Sequence, residues 1–433
     1  MQRRLLQTVL CPHCWHGFTP DEALWIAAHP DLRGDPLLSG DEFQRFLPSR
    51  FAPSGEAIDE RGSRCQRQAC PKCHLPISSI LFEKPASIFS LVGQQASGKS
   101  HLLAAAAWRM RQSFPTQFAL SFADADPLSN RLINDNEASL FLPSNPQALV
   151  HVEKTQLQGS TYDSVLFSPG EPTLLPRPFL FTMAPSRGHP NERLAGDARV
   201  VLCAYDNAGE HFLPGADTPT APGTQHLSRS KVVLFVYDPT QDPRFRARLQ
   251  QRSTDPQVTA PAGTGRQDVI LGEMANRLRT YRGGAVSARI EVPLIVVVSK
   301  SDVWSGLLPG HDLTSDPWRA SETLRGPAIF DRQRVETTSE ALGRLIAQTA
   351  PEFVALAEDS FERVVYIGVS ALGCAPQLDQ ASGLLKVRPA EIRPRWVEVP
   401  FLYSLARWSR TLVRTHDVEP AVAPAARGMS HGQ

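Results

Sequence analysis

The segment Gly93-Gln94-Gln95-Ala96-Ser97-Gly98-Lys99-Ser100 constrains this chain more than any other. It fits G-x-x-x-x-G-K-[ST], follows the apolar run SIFSLV and opens the helical pattern KSHLLAAAAWRM. Where a strand turns through glycines straight into a helix, successive backbone N–H groups and the positive helix end face one anion. Residues 93–98 and His101 then shape a phosphate cradle. Lys99, expected to be a solvated loop cation whose partner is the ligand, bridges β- and γ-phosphates, and Ser100 ligates Mg²⁺.

The pattern beyond this loop says what kind of sheet stands behind it. Apolar runs at 87–92, 178–184, 200–205, 232–237, 293–298 and 364–369 are separated by helical patterns at 99–111, 267–281, 339–356 and 400–413. Such alternation predicts an α/β fold, a mainly parallel P-loop sheet with helices on both faces. No helical pattern lies between 178–184 and 200–205, which predicts an antiparallel edge pair. Residues 124–177 and 304–333 lack clear periodicity and read as insertions. We divide the chain into a Cys-rich module at 1–80, a nucleotide-binding domain at 81–418 and a Pro/Ala/Gly-rich tail at 419–433, expected to be disordered.

Lys and Arg total 45 against 44 Asp and Glu, a balance that lends no support to a nucleic-acid or anionic-membrane partner. No apolar run approaches the ~20 residues that span a bilayer, and the N-terminus lacks the apolar core of a secretory signal. A cytoplasmic protein is expected.

Three motifs after the loop address which nucleotide it holds, and each follows a predicted strand, where open α/β sheets bind ligands. Asp206-Asn-Ala-Gly209 fits D-x-x-G: Asp206 holds Mg²⁺ through water and the Gly209 amide meets the γ-phosphate. Ser299-Lys300-Ser301-Asp302 fits [NST]-K-x-D. Its Asp302 carboxylate can accept from guanine N1–H and N2–H₂, donors that adenine lacks, while the Lys300 stem covers the base. In Ser370-Ala371-Leu372 the Ala371 amide can donate to guanine O6. Each motif alone also fits an ordinary strand-end turn; it is their order that is informative.

The order GQQASGKS, DNAG, SKSD, SAL resembles the translation-factor and Ras-like (TRAFAC) class of P-loop GTPases over roughly residues 87–415. FERVVYIGVSALG followed by VEVPFLYSL resembles, more narrowly, the bacterial double-GTPase family. The resemblance implies GTP/GDP and Mg²⁺ as ligands, GTP hydrolysis, and a partner, either a second GTPase or an effector, in a signalling or conflict system. It also implies a Mg²⁺-ligating threonine before the second strand. Thr173 in GEPTLLPRPFLF fits best, with Thr155 and Thr161 as competitors. The chain departs from the class after Gly209, where Glu210 and His211 stand in place of glutamine. An ionised Glu accepts hydrogen bonds but donates none. Either Glu210 acts as base, His211 positions the water, or a partner completes the site.

Five of the seven cysteines precede residue 80. Cys11-Pro-His-Cys14 and Cys70-Pro-Lys-Cys73 are two CPxC turns able to complete a tetrahedral Zn²⁺ site, with Cys65, His13, His16 or His74 as substitute ligands. Unmetallated buried thiols and a redox pair are the alternatives, and the redox reading lacks a βαβ context. The segment between the turns reads as a helical insertion (DEALWIAAH, SGDEFQRFL). Three functions follow: a GTP-hydrolysing switch, a nucleotide-binding scaffold without useful turnover, and an ATPase carrying a nucleic-acid-binding zinc ribbon.

Overall fold

The computed structural model describes residues 5–151, 162–168, 171–207, 209–212, 223–250, 253, 255–259, 266–285, 287–320, 326–409 and 411–415. Thr155, Thr161, Ala208 and the tail from Glu419 lie outside them. Seven strands build the central sheet: β1 (Ala86–Val92), β2 (Leu120–Asp124), β3 (Phe179–Pro185), β4 (Val200–Asp206), β5 (Ser230–Tyr237), β6 (Leu294–Val298) and β7 (Val364–Gly368), in the order β2-β3-β4-β1-β5-β6-β7. β1, β4, β5, β6 and β7 are mutually parallel, and β3 alone runs against its neighbours. The expected antiparallel pair is therefore present as β3 and β4. It is not the edge, because β2 pairs outside β3. β2 is a five-residue strand with alternating burial, too short to stand out in sequence.

The principal helices are α1 (Lys99–Gln117), α2 (Arg131–Phe141), α3 (Gln267–Tyr281), α4 (Arg332–Ala347), α5 (Pro351–Ser360) and α6 (Val399–Trp408). The single helix expected over 339–356 is two. Pro351 has no N–H and its ring excludes the preceding turn, so α4 stops and Pro351 opens α5 at a position that tolerates it. The helix expected over 400–413 ends at Trp408. α2 lies in the stretch that looked aperiodic, as does a hairpin of Tyr162–Ser168 on Glu171–Pro176.

Every residue of β6 is buried, so both of its faces are covered. Along β4 the two faces diverge. Leu202 and Ala204 join the main core, whereas Val201, Cys203 and Tyr205 pack with Cys11, Trp15, Phe18, Cys70, Cys73 and Phe82 of the cysteine module. Val165 and Leu175 of the 162–176 hairpin enter the same cluster. On this half of the sheet the module takes the place that a crossover helix would fill.

The insertion between the cysteine turns is not helical. Leu24–Ile26 is a strand paired on one side with Arg45–Phe46 and on the other with Gln68–Ala69. DEALWIAAH gives barely two turns before Pro30, and helices that short are marginal in water, so strand pairing prevails. No described helix is long and apolar enough to cross a membrane.

Leu234 is fully buried in β5, level with Leu91 of β1 and Ile295 of β6. Leu234→Ala should destabilise the protein by about 2–5 kcal/mol through lost burial and the cavity left behind. A denaturant midpoint unchanged from wild type would show that the sheet centre is not where the core lies.

Candidate nucleotide cleft and cysteine centre

Because β1, β4, β5, β6 and β7 are parallel, the loops leaving their C-terminal ends open on the same side of the sheet. The loop after β1 folds tightly: Gly93 has φ 154°, Ala96 φ 59° and Gly98 φ 97°. A Cβ on Gly93 would lie 2.6 Å from the Val236 carbonyl, so only glycine fits the exit from the strand. Lys99 was expected to be a solvated cation; instead it is buried, and its Nζ donates to the carbonyls of Gly93 and Gln94, each at 2.9 Å.

Asp206 ends β4 level with Leu91 of β1, which sets it beside the loop. Its Oδ2 accepts from Ser100 Oγ at 2.7 Å, so two of the three residues expected at Mg²⁺ are in contact. Gly209 packs so closely on the loop that an added Cβ would lie 2.6 Å from the Gln95 amide nitrogen.

The other end of the cleft is built by the loops after β5, β6 and β7. Lys300 takes a left-handed conformation (φ 58°) and its Nζ pairs with buried Asp238 at 2.6 Å and with Thr240 Oγ1 at 3.1 Å. Those contacts hold the lysine stem in place. Asp302 Oδ1 accepts from the Ser370 hydroxyl, and the Ser301 amide donates to the Val369 carbonyl at 2.9 Å. Burial pushes the Asp302 carboxyl above its ordinary value, while the Ser370 hydrogen bond opposes that shift. Ser370 Oγ in turn accepts from the Gly373 amide at 2.7 Å.

One cleft is lined by Gln95–Leu102, Gly209, Ser299, Lys300, Asp302 and Ser370–Leu372. Sequence reasoning missed the rest of its lining, which comprises Val150, His151, Gln257, Val369, Cys374, Pro376, Leu385 and Val387. Val150 and Val387 exchange backbone hydrogen bonds at 2.9 Å across 237 positions of sequence, a pairing no local pattern announces. Burial, with His151 and Lys300 nearby, pushes the His101 imidazole down to about 4.

Five expected residues are not among those lining the cleft: Gly93, Gln94 and Asp206, which adjoin the loop, and Thr173 and His211. Thr173 is buried in the 162–176 hairpin opposite Val165. His211 is buried with its ring 5.2 Å from Tyr162, and its carbonyl accepts from Arg277. Neither lines the cleft. The side chain of Glu210 lies outside the described structure.

The four CPxC thiols meet. Cys11, Cys14, Cys70 and Cys73 Sγ atoms lie within 4.8 Å of one another, with Cys11–Cys73 and Cys14–Cys70 at 3.7 Å. A tetrahedron with Zn–S bonds of about 2.3 Å has edges of roughly 3.8 Å, so the cluster fits that ion. The two turns are built alike. His13 N donates to Cys11 Sγ and Lys72 N to Cys70 Sγ, both at 3.4 Å, and the residues after each second cysteine, Trp15 and His74, have φ 56° and 60°. The substitute ligands do something else: Cys65 points to Asp59, His13 Nε2 meets the Pro76 carbonyl, His16 stacks on Phe18, and His74 Nδ1 meets Asp35 at 2.8 Å.

No family model and no curated protein matches the chain. Similar solved structures include sup35 complexed with GDP (13% identity, 67% of this chain and 38% of that one, TM-score 0.24). Another is the signal recognition particle receptor SRb-GTP/SRX complex from Chaetomium thermophilum (16%, 69% and 97%, TM-score 0.26). A third is the S. cerevisiae Ski7 GTPase-like domain bound to GTP (14%, 71% and 47%, TM-score 0.25). This chain thus matches less than half the length of two of the three. Scores this low leave the functional argument to the cleft itself.

The purified protein should carry about one zinc per chain on the four thiols. Stripping it should open the segment before residue 80 to proteolysis, since its short strands cannot fold alone. Metal analysis that finds no zinc and four titratable thiols would remove the assignment.

Proposed function

We propose that this chain binds guanine nucleotide with Mg²⁺, hydrolyses GTP, and carries a structural zinc in its first 80 residues. The observation that carries the reading is one cleft lined by the loop residues 95–100, whose Ser100 contacts Asp206 behind it, and by a carboxylate held by Ser370. Asp302 supplies base choice, the Lys300 stem and the Leu385–Val387 wall sandwich the base, and the Gly209 turn senses the γ-phosphate through its packing on Gln95.

His211 and Thr173 lie off the cleft, which favours a second reading in which the protein holds nucleotide with little turnover by itself. A partner GTPase or effector, as the double-GTPase resemblance implies, would then supply the group that orients water. Single-turnover kinetics with labelled GTP separate the two. Competition of ATP against GTP tests the ATPase alternative.

Lys99→Ala should remove measurable nucleotide binding. It should also cost about 1–3 kcal/mol of stability, because the Gly93 and Gln94 carbonyls lose their donor. Tight GTP binding with normal turnover in this variant would overturn the phosphate-site assignment.

Asp302→Asn tests the base. Ser370 donates to Oδ1, so the substituted amide should keep its oxygen on Ser370 and turn its N–H₂ toward the ligand. That donor would meet the guanine amino group, leaving a polar group unpaired at a cost of about 1–3 kcal/mol, or roughly ten- to a hundredfold in GTP affinity. Xanthine carries a carbonyl there, so xanthosine triphosphate should bind the variant better than GTP does. Paired titrations on wild type and variant decide it; an unchanged GTP preference means Asp302 does not read the base.

A further inference from the structure

The two cysteine turns share one geometry yet put the residue after their second cysteine to different uses. His74 is tied to Asp35 inside the module's own insertion. Trp15 points out of the module, and its Nε1 donates to the Tyr205 hydroxyl at 3.2 Å. That hydroxyl in turn donates to the carbonyl of Pro12, between Cys11 and Cys14. Tyr205 is fully buried, and both of its hydrogen bonds end on the first turn.

Tyr205 immediately precedes Asp206. Its ring lies flat on His226, with centroids 4.4 Å apart and 13° between planes. His226 Nε2 accepts from Asn207 Nδ2 at 2.8 Å, so Nδ1 carries the proton and faces Ser90 Oγ. Ser90 and Ser230 hydroxyls are paired, and Ser230 Oγ donates to the His226 carbonyl at 3.1 Å, which closes the network. Burial holds the His226 imidazole down to about 3, so it stays neutral. Ser90 lies on β1 just ahead of the phosphate loop, and Asn207 Nδ2 also donates to the Gly223 carbonyl at 2.6 Å.

We infer that the zinc centre and the nucleotide site are one coupled unit, joined by the Tyr205 hydroxyl on the first cysteine turn and by the Tyr205–His226 stack beneath Asp206 and Asn207. The inference rests on the nucleotide reading above. Zinc fixes the Cys11–Cys14 turn, and that turn fixes the residue that carries Asp206. Nucleotide with Mg²⁺ fixes Asp206 from the other side, so each ligand restrains a segment the other needs. Coupling of this kind is reciprocal: bound nucleotide must retain zinc by the same factor that bound zinc tightens nucleotide. Tyr205 and His226 are positioning residues, since neither lines the cleft.

The test is zinc transfer from the intact zinc-loaded protein to a chromogenic chelator, with and without saturating Mg²⁺ and GDP or a non-hydrolysable GTP analogue. Saturation is first shown by titration. Nucleotide should slow transfer about fivefold or more. Tyr205→Phe keeps the ring on His226 but loses the hydroxyl. It should retain zinc and nucleotide binding while the slowing disappears. Trp15→Phe, which removes the indole donor together with part of the ring packed beside Tyr205 and His226, should give a partial loss and serves if Tyr205→Phe fails to fold. Equal transfer rates in wild type with nucleotide demonstrably bound would overturn the coupling. Full slowing in both variants would overturn the Tyr205 route. Absence of any binding in the first titration would instead locate the failure in the nucleotide reading and would take the coupling with it.

Discussion

The parallel alignment of β4, β1, β5, β6 and β7 is the constraint on which the rest of this molecule depends. Parallel strands deliver their connecting loops to one end of the sheet. With β1 between β4 and β5, the phosphate loop lies next to Asp206 on one side and Val236 on the other. At Gly93 and Gly209 an added Cβ would lie 2.6 Å from backbone atoms of a neighbouring segment, which marks how closely these loops crowd. A shift of one residue in the β1–β4 register would reverse which face Asp206 presents and separate it from Ser100.

The same sheet needs both faces covered, and the chain meets that need unevenly. Helices do so on β5 to β7, while the cysteine module and the 162–176 hairpin cover part of β1, β3 and β4. The module's own strands are two or three residues long, too short to make a core. Its apolar residues are buried because β4 offers Val201, Cys203 and Tyr205 on that face. Four thiols that meet between the turns and a sheet that receives the turns' side chains thus belong to the same cluster. Tyr205 belongs to this packing as well as to the strand end where Asp206 sits.

Many of the residues that line the cleft were legible in the sequence, because they fall in short contiguous motifs. GQQASGKS, DNAG, SKSD and SAL each bring their own turn, and each motif's position after an apolar run placed it at a strand end. The four zinc-ligand candidates were legible for the same reason: a CPxC turn is local. Less legible was anything set by pairing across the chain. Leu24–Ile26 looked helical because its strand partners lie about 20 and 45 residues away. The expected burden on Lys99 was misjudged because the Gly93 and Gln94 carbonyls that hold it are created by the fold of the loop.

The sequence by itself determined the chemistry on offer: a glycine-rich loop of G-x-x-x-x-G-K-S pattern, a strand-end carboxylate, and four thiols in two turns. Those are properties of residues within a few positions of one another, where backbone geometry follows from composition. Only the tertiary structure decided the wall of Val150 against Val387, the position of Thr173 and His211 away from the cleft, and the burial of the first cysteine turn against Tyr205. The first and last of these depend on segments 237 and 190 residues apart finding one another. Nothing in local periodicity encodes such a choice, since it is made by which faces remain uncovered once the sheet has formed.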